Sequence, residues 1–299
     1  MNFGIYVRSK NEVNIIEFMD HYYNIGFSII LFYDDFSIPS VQEVINNESN
    51  LRFEGKYKII RNKTVFDNLV NLNNNEFFIE NILPCLKQSM DYCFYVDMDE
   101  YLKIKCGSSI NAIAEFYNPF DSLKINWVLF GSNGIIKSET NNKLKPTYTR
   151  SFSKINTHVK SLTKVSTICG CHNPHYFLLK KGSITKNIFN EITSNDPFEA
   201  KMENYRFDYV NLFVAHYIVQ GINGFIMRRF GRKTDTSIST QYEGIEILIS
   251  NNIENICSFY LDNNHQHLSH LLEKEINIIK SIFGFLNAHN GNDEENILY

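Results

Sequence analysis

The sequence predicts an α/β fold, with a mixed, mostly parallel sheet flanked by helices and more helices toward the C-terminus. Three observations carry that prediction. Short runs rich in β-branched and aromatic residues alternate with segments of helical periodicity through the first hundred residues. Several of those runs stop in polar or charged clusters: Arg8-Ser9-Lys10-Asn11-Glu12, Asp34-Asp35 and Asp97-Met98-Asp99-Glu100. A chain of 299 residues with 43% hydrophobic content can also bury a large core.

In chain order, Phe3 to Val7 reads as the first strand, and Arg8 to Glu12 as a polar turn at its carboxyl end. Ile15, Ile16, Met19, Tyr22 and Tyr23 recur at helical spacing, and Gly26 stands where a C-terminal cap is expected. Ser28 to Tyr33 is a second buried strand, Val41 to Asn46 a helix, Lys56 to Ile60 a strand, and Glu76 to Met90 an amphipathic helix. Tyr92 to Val96 is the strand that carries the acids. Such alternation implies parallel strands joined by right-handed crossovers. Their carboxyl ends then share one edge, the edge along which open α/β sheets bind ligands. Farther on, Ser122 to Phe130 is a strand holding the only tryptophan, Trp127, and the turn Gly131-Ser132-Asn133-Gly134 follows it. Leu212 to Ile218 is a late strand containing His216, residues 225–233 are basic, and residues 241–287 read as two helices.

Composition narrows the function. A net charge of −4 and a pI near 6.1 argue against a nucleic-acid binder. Met1 leads directly into a strand and no apolar run is long enough to span a bilayer, so the chain is expected to lack a signal peptide and a transmembrane segment and to be cytoplasmic. Six cysteines without paired spacing suit reduced thiols.

The acidic turn is the chemically informative stretch. Carboxylates gathered at the end of an apolar strand disfavour one another's ionisation unless a cation offsets them. Asp97 and Asp99, at i and i+2, leave an extended chain on one side and are expected to converge on one ion, with Met98 turned into the core and Glu100 facing away. Hard oxygen ligands in small number suit Mg²⁺ or Mn²⁺, with water and phosphate oxygens completing the shell. The alternative is an acidic loop that caps the next helix.

Taken together, the motifs resemble a known family. They are Lys10-Asn11-Glu12 with Ile16-Glu17-Phe18 and His21, Asn24-Ile25-Gly26-Phe27, Ile30 to Ser37, and Phe94 to Leu102. Beyond these come Trp127 to Gly134, His158-Val159-Lys160-Ser161, His172-Asn173-Pro174, Ala215-His216-Tyr217 and Arg228 to Lys233. In this order, over roughly residues 3–233, the chain resembles a GT-A type (Rossmann-like) glycosyltransferase of the family 2-like group that includes family 92, the former domain of unknown function 23. The resemblance implies a GT-A domain over residues 1–240, with a nucleotide-binding half (1–105) and an acceptor-binding half (106–240), followed by a helical extension with a polar tail (241–299). It implies transfer of a sugar, with inversion, from a nucleotide-sugar donor, commonly a UDP-sugar, to a glycan or other hydroxyl-bearing acceptor.

Carried over by position, Asp97 and Asp99 would hold Mn²⁺ or Mg²⁺ against the diphosphate, with His216 as a third ligand. Arg8, Asn11, Glu12 and Asp34 would contact base and ribose, and Lys160, Arg150, Arg228 and Arg232 the phosphates or an acidic acceptor. Trp127, Gly131 and Ser132 would wall the acceptor side, Trp127 offering a face for a sugar ring, and His172 would lie at the rim. For the catalytic base, Asp208 is a first choice over Asp196, Glu139 and Glu199 because it precedes the His216 strand. Two departures from the family stand out: Tyr92 lies near the place of its usual tryptophan, and Asp34-Asp35 replaces an Asp-Asn type pair. The cluster Cys169-x-Cys171-His172-x-x-His175 mimics half a zinc site without a second half. Competing readings are a nucleotidyltransferase, which would want a glycine-rich phosphate loop after the first strand, and a catalytically inactive carbohydrate-binding scaffold.

Overall fold

A computed structural model describes residues 1–12, 14–48, 51–61, 75–105, 108–131, 143–149, 151, 154–198, 205–206 and 210–217. Ser132, Arg150, Asp208, Arg228 and Arg232, and the helices expected within 241–287, lie outside the described residues. The chain divides into two compact units, Met1–Leu129 with Ser153–His216, and Phe130–Phe152 with Tyr217–Tyr299.

The first unit is built on one large mixed sheet. Strands β1 (Phe3–Ser9), β2 (Ile29–Asp34), β3 (Tyr57–Ile60) and β4 (Tyr92–Asp97) are joined in the order β3-β2-β1-β4, all parallel. Helix α1 (Ile15–Asn24) connects β1 to β2, and it ends where Gly26 takes the left-handed φ of 102° that a side chain would resist. Helix α2 (Val41–Asn47) starts on a capping box in which the Glu43 backbone N–H donates to Ser40 Oγ while the Glu43 carboxylate accepts from the Ser40 backbone. Helix α3 leads into β4 as a continuous run of Asn75–Phe77, a π-helical segment Phe78–Ile82 and Leu83–Ser89. Successive β4 residues serve opposite faces of the sheet. Cys93 packs with Ile82 and Leu86 of α3, and Phe94 with the rings of Tyr22 and Phe27.

The simple strand-helix alternation stops at β4. Only Met98 and Asp99 separate it from β5 (Glu100–Ile104), too short a connection for a parallel crossover. The sheet instead continues β4-β7-β6-β11-β5, through β6 (Ser122–Leu129), β7 (Val159–Lys164) and β11 (Leu212–His216). β7 runs antiparallel to both β4 and β6, β11 is parallel to β6, and β5 is antiparallel to β11. Strands β8 (Ile168–Asn173) and β9 (Tyr176–Leu179) form a separate hairpin, and β10 (Thr185–Lys186) pairs with the start of β6. Helix α4 (Ile110–Tyr117) follows β5. In the second unit the described residues include the short helix α5 (Leu144–Thr147), a bridge between Phe130 and Ser151, and a Phe130–Tyr217 ring contact at 4.9 Å. No helix among the described residues is long and apolar enough to cross a membrane.

β5 closes the sheet at one end, and α1 side chains take up its backbone groups there. Tyr22 Oη donates to the Glu100 carbonyl at 2.8 Å and accepts from the Leu102 N–H at 3.2 Å, while His21 Nε2 donates to the Leu102 carbonyl at 2.8 Å. These bonds hold β5, and therefore the acidic turn before it, against the first helix. Tyr22→Phe keeps the ring but leaves the buried Leu102 N–H without an acceptor, so the variant is expected to lose about 1–3 kcal/mol in urea unfolding. A loss of only a few tenths would show that the hydroxyl does not anchor the strand.

Candidate functional site

The parallel registers bring the sequence-predicted polar clusters to one rim. Ser9 stands beside Asp34 across β1 and β2, and Arg8 beside Asp97 across β1 and β4. Much of that chemistry is spent on holding the loops. The Asp34 carboxylate is buried and accepts the N–H of Ser37 at 2.9 Å and of Val41 at 3.3 Å, so it caps the turn into α2. Asn11, with a φ of 51°, ties its turn to the neighbouring loop: its N–H donates to Ser37 Oγ at 3.0 Å, and its Oδ1 accepts the Ile38 N–H at 2.9 Å. Asp35 is buried beneath Arg8 at 3.4 Å and Lys10 at 3.9 Å. Glu12 is half-buried in the same turn.

Three cations at this rim keep solvent exposure. The side chains of Arg8, Lys10 and Arg61 are 28, 21 and 40% exposed, and the Arg61 guanidinium lies 4.9 Å from the Phe36 ring centroid. Lys10 and Arg61 were not among the sequence candidates for donor binding. Arg61 directly follows the carboxyl end of β3, and the reasoning that selected Arg8 at the carboxyl end of β1 would have found it.

The acidic turn differs from the sequence expectation. Met98 is buried as predicted, but Met98-Asp99 is a turn rather than extended chain, so the same-side argument for Asp97 and Asp99 does not apply. The Asp97 carboxylate goes to Lys160 Nζ, 2.8 Å from its Oδ2, whereas Asp99 Oδ2 lies 3.1 Å from His216 Nε2. Glu100 does not face away. It is fully buried, its Oε2 accepting the Asp97 N–H at 2.8 Å and standing 3.1 Å from Lys160 Nζ. The turn curls the chain back on itself, and all three acids point into the same neighbourhood. His216 reaches them because β11 sets it opposite Glu100, the first residue of β5.

Lys160 comes from β7 and is completely buried. Asp97, Glu100 and the Pro174 carbonyl at 2.9 Å occupy its three N–H donors, which leaves none for the phosphates assigned to it from sequence. Burial acts to lower the Lys160 pKa, but Asp97 and Glu100 outweigh it and hold the ammonium charged. Burial likewise acts to raise the Asp97 carboxyl, and Lys160 outweighs it and holds the group below its ordinary value. For Glu100, burial prevails over Lys160 and pushes the carboxyl up to about 7.

Trp127 sits at the centre of a histidine cluster. Its ring stacks on His158 at 4.9 Å and 7°, with His175 at 5.2 Å and His216 edge-on at 4.3 Å. One indole face is therefore covered, and the residue is 9% exposed, which corrects the expectation of an open face for a sugar ring. The ring beside it with an open surface is Phe198, 52% exposed and edge-on to His158 at 4.7 Å. Gly131 is buried in the second unit, and His172 lies on β8. Asp196, one of the weaker base candidates, is exposed and caps the Phe198 N–H at 2.8 Å. The Cys-His cluster does not converge: Cys171 Sγ donates to the Asn173 carbonyl, Cys169 is exposed, and His175 Nδ1 donates to the Val159 carbonyl at 3.0 Å.

Among the described residues no group of three or more His, Cys, Asp and Glu side chains forms a metal centre. Two carboxylates could serve a divalent ion: Asp97, whose side chain is 44% exposed, and Asp99, whose Oδ2 lies 3.1 Å from His216 Nε2. Such a set fits an ion that takes one or two carboxylates from the protein and the rest of its shell from water and phosphate. Glu100 Oε1 and His216 Nδ1, 4.0 Å apart, are both buried without a hydrogen-bond partner, so the cluster is not self-sufficient.

Burial, with Lys160 nearby, lowers the His175 pKa to about 4, against an ordinary value of 6.5. The folded protein then binds fewer protons here than the unfolded chain between those values, and this residue's contribution to stability falls as pH drops from about 6.5 to about 4. Relative to a His175→Gln variant, the wild type should lose on the order of 1–2 kcal/mol across that window in urea titrations at stepped pH, with the ring's partial exposure discounted. A pH-independent difference would contradict a buried neutral imidazole. Comparison with models of known protein families and with curated proteins finds no match to this chain.

Proposed function

We propose that the protein is a metal-dependent glycosyltransferase of GT-A type, moving a sugar from a nucleotide-sugar donor, a UDP-sugar in the first instance, to a glycan or other hydroxyl acceptor. The observation that carries this reading is the position of the acidic turn. Asp97 closes β4 directly beside Arg8 of β1, at the carboxyl ends of the parallel strands, the edge along which open α/β sheets bind ligands, with one carboxylate open to solvent and Asp99 bonded to His216. The partly exposed cations Arg8, Lys10 and Arg61 on the same rim suit the negative charge of a nucleoside diphosphate.

In this reading Asp97 and Asp99, with His216 beside Asp99 as a further ligand, would hold Mn²⁺ or Mg²⁺, which would supply positive charge to offset that of the departing diphosphate. An imidazole ligand favours manganese over magnesium. Asp34 and Asn11 keep the nucleotide loops in shape rather than bonding the nucleotide, since backbone groups already occupy their side-chain oxygens. Among the described residues, Phe198 rather than Trp127 offers an exposed ring beside His158 to an acceptor sugar. Displacement with inversion needs a carboxylate at the acceptor hydroxyl, and Asp208 remains the residue to test.

In thermal denaturation, UDP with MnCl2 should raise Tm by several degrees and either one alone by much less, and Asp99→Asn should abolish the joint shift. A screen of nucleotide sugars should show metal-dependent release of the nucleoside diphosphate. A shift with nucleoside triphosphate alone would favour the nucleotidyltransferase instead, and a shift with sugar alone the binding module.

A further inference from the structure

Lys160 combines full burial with three short contacts to oxygen, and nothing assigned to the site so far requires a lysine there. An ammonium removed from water is tolerated only where charged and polar partners replace the solvent. Here the partners form a closed ring. Lys160 Nζ holds Asp97 Oδ2 at 2.8 Å and Glu100 Oε2 at 3.1 Å, and Glu100 Oε2 in turn accepts the Asp97 N–H at 2.8 Å. The rings of Tyr95 and Trp127 face the ammonium, with centroids 5.6 and 5.9 Å away. With Asp97, Asp99 and Glu100 all ionised, the one ammonium leaves two negative charges in the cluster, the amount that one divalent ion offsets. Without the lysine the same residues would carry three.

The geometry points to Lys160 as a resident counter-cation of the acidic turn. It keeps Asp97, Asp99 and Glu100 together when no divalent ion is bound, and by repelling a bare dication it makes tight metal binding conditional on the phosphates of a nucleoside diphosphate. This rests on the reading that Asp97 and Asp99 hold a metal. Lys160 is thus a positioning residue that acts through Asp97 and Glu100 and does not touch the donor. The unpartnered, buried Glu100 Oε1 and His216 Nδ1 belong to the same cluster and mark the side on which it remains incomplete.

The inference makes a prediction opposite in sign to that of a purely structural role, which would leave metal affinity unchanged or weakened on substitution. Calorimetric titration with MnCl2, alone and with UDP, compares the wild type with Lys160→Gln, which retains N–H donors and loses the charge, and with Lys160→Met, which loses both. The wild type should bind Mn²⁺ at least tenfold tighter with UDP than without. Both variants should have a lower Tm in chelator, bind bare Mn²⁺ at least tenfold tighter than the wild type, and recover stability in MnCl2. Bare-metal affinity equal to or weaker than the wild type's overturns the inference. So does failure of both variants to fold even in excess MnCl2, because the ion then cannot stand in for the ammonium. If the wild type binds neither Mn²⁺ nor Mn²⁺ with UDP, it is the metal-dependent reading itself that falls.

Discussion

The first unit is organised by ionic contacts around one buried lysine. The Lys160 ammonium, with no access to water, lies 2.8 Å from Asp97 and 3.1 Å from Glu100, and these contacts join β7 to the end of β4 and the start of β5. Breaking one partner of such a pair costs more than the pair itself contributes, because the remaining charge is stranded in a poor solvent. The antiparallel insertion of β7 between β4 and β6 is what delivers the lysine to this point. Around it the aromatic residues exclude water: Tyr95 from β4, Trp127 from β6 and the histidines packed on Trp127.

A division of labour along the sheet edge follows from the same geometry. On the β1-β2-β3 side, the acids Asp34 and Asp35 face inward and hold loops, while Arg8, Lys10 and Arg61 retain exposure. On the β4-β5 side the arrangement is reversed, the cation being buried and Asp97 the exposed partner. A ligand lying along the edge would meet positive charge at one end and a carboxylate at the other. An anionic diphosphate bridged to a divalent ion has that polarity.

The parallel half of the sheet was legible because its strands are apolar, as in Phe3 to Val7, Ser28 to Tyr33 and Tyr92 to Val96, and its helices keep their period. β6 and β11 were legible as well, as Ser122 to Phe130 and Leu212 to Ile218, but β7 was obscured by buried polar residues. β7 reads Val-Lys-Ser-Leu-Thr-Lys, and its Lys160, Ser161 and Thr163 are as deeply buried as Val159 and Leu162, so no apolar run announces the strand. β6 also buries Lys124 and Asn126, but Leu123, Ile125 and Trp127 to Leu129 kept it readable as a strand. The acidic tripeptide was visible, but its shape was not. Side-chain direction at Asp99 depends on a two-residue turn, and that turn follows from where β5 finds its partner β11, more than a hundred residues away. The covered face of Trp127 is likewise a long-range fact, since His158 and His175 arrive from other segments.

β6 is hydrogen-bonded along Ser122–Asn126 to β7 and along Trp127–Leu129 to β11, so one eight-residue strand references both Lys160, opposite Ile125, and His216, opposite Leu129. The two groups that engage the acidic turn are therefore measured off a shared ruler. Inserting or deleting a single residue in β6 would invert the facing of one neighbour relative to the other. Lineages of this chain should accordingly tolerate changes of side chain in that strand far more readily than changes of its length.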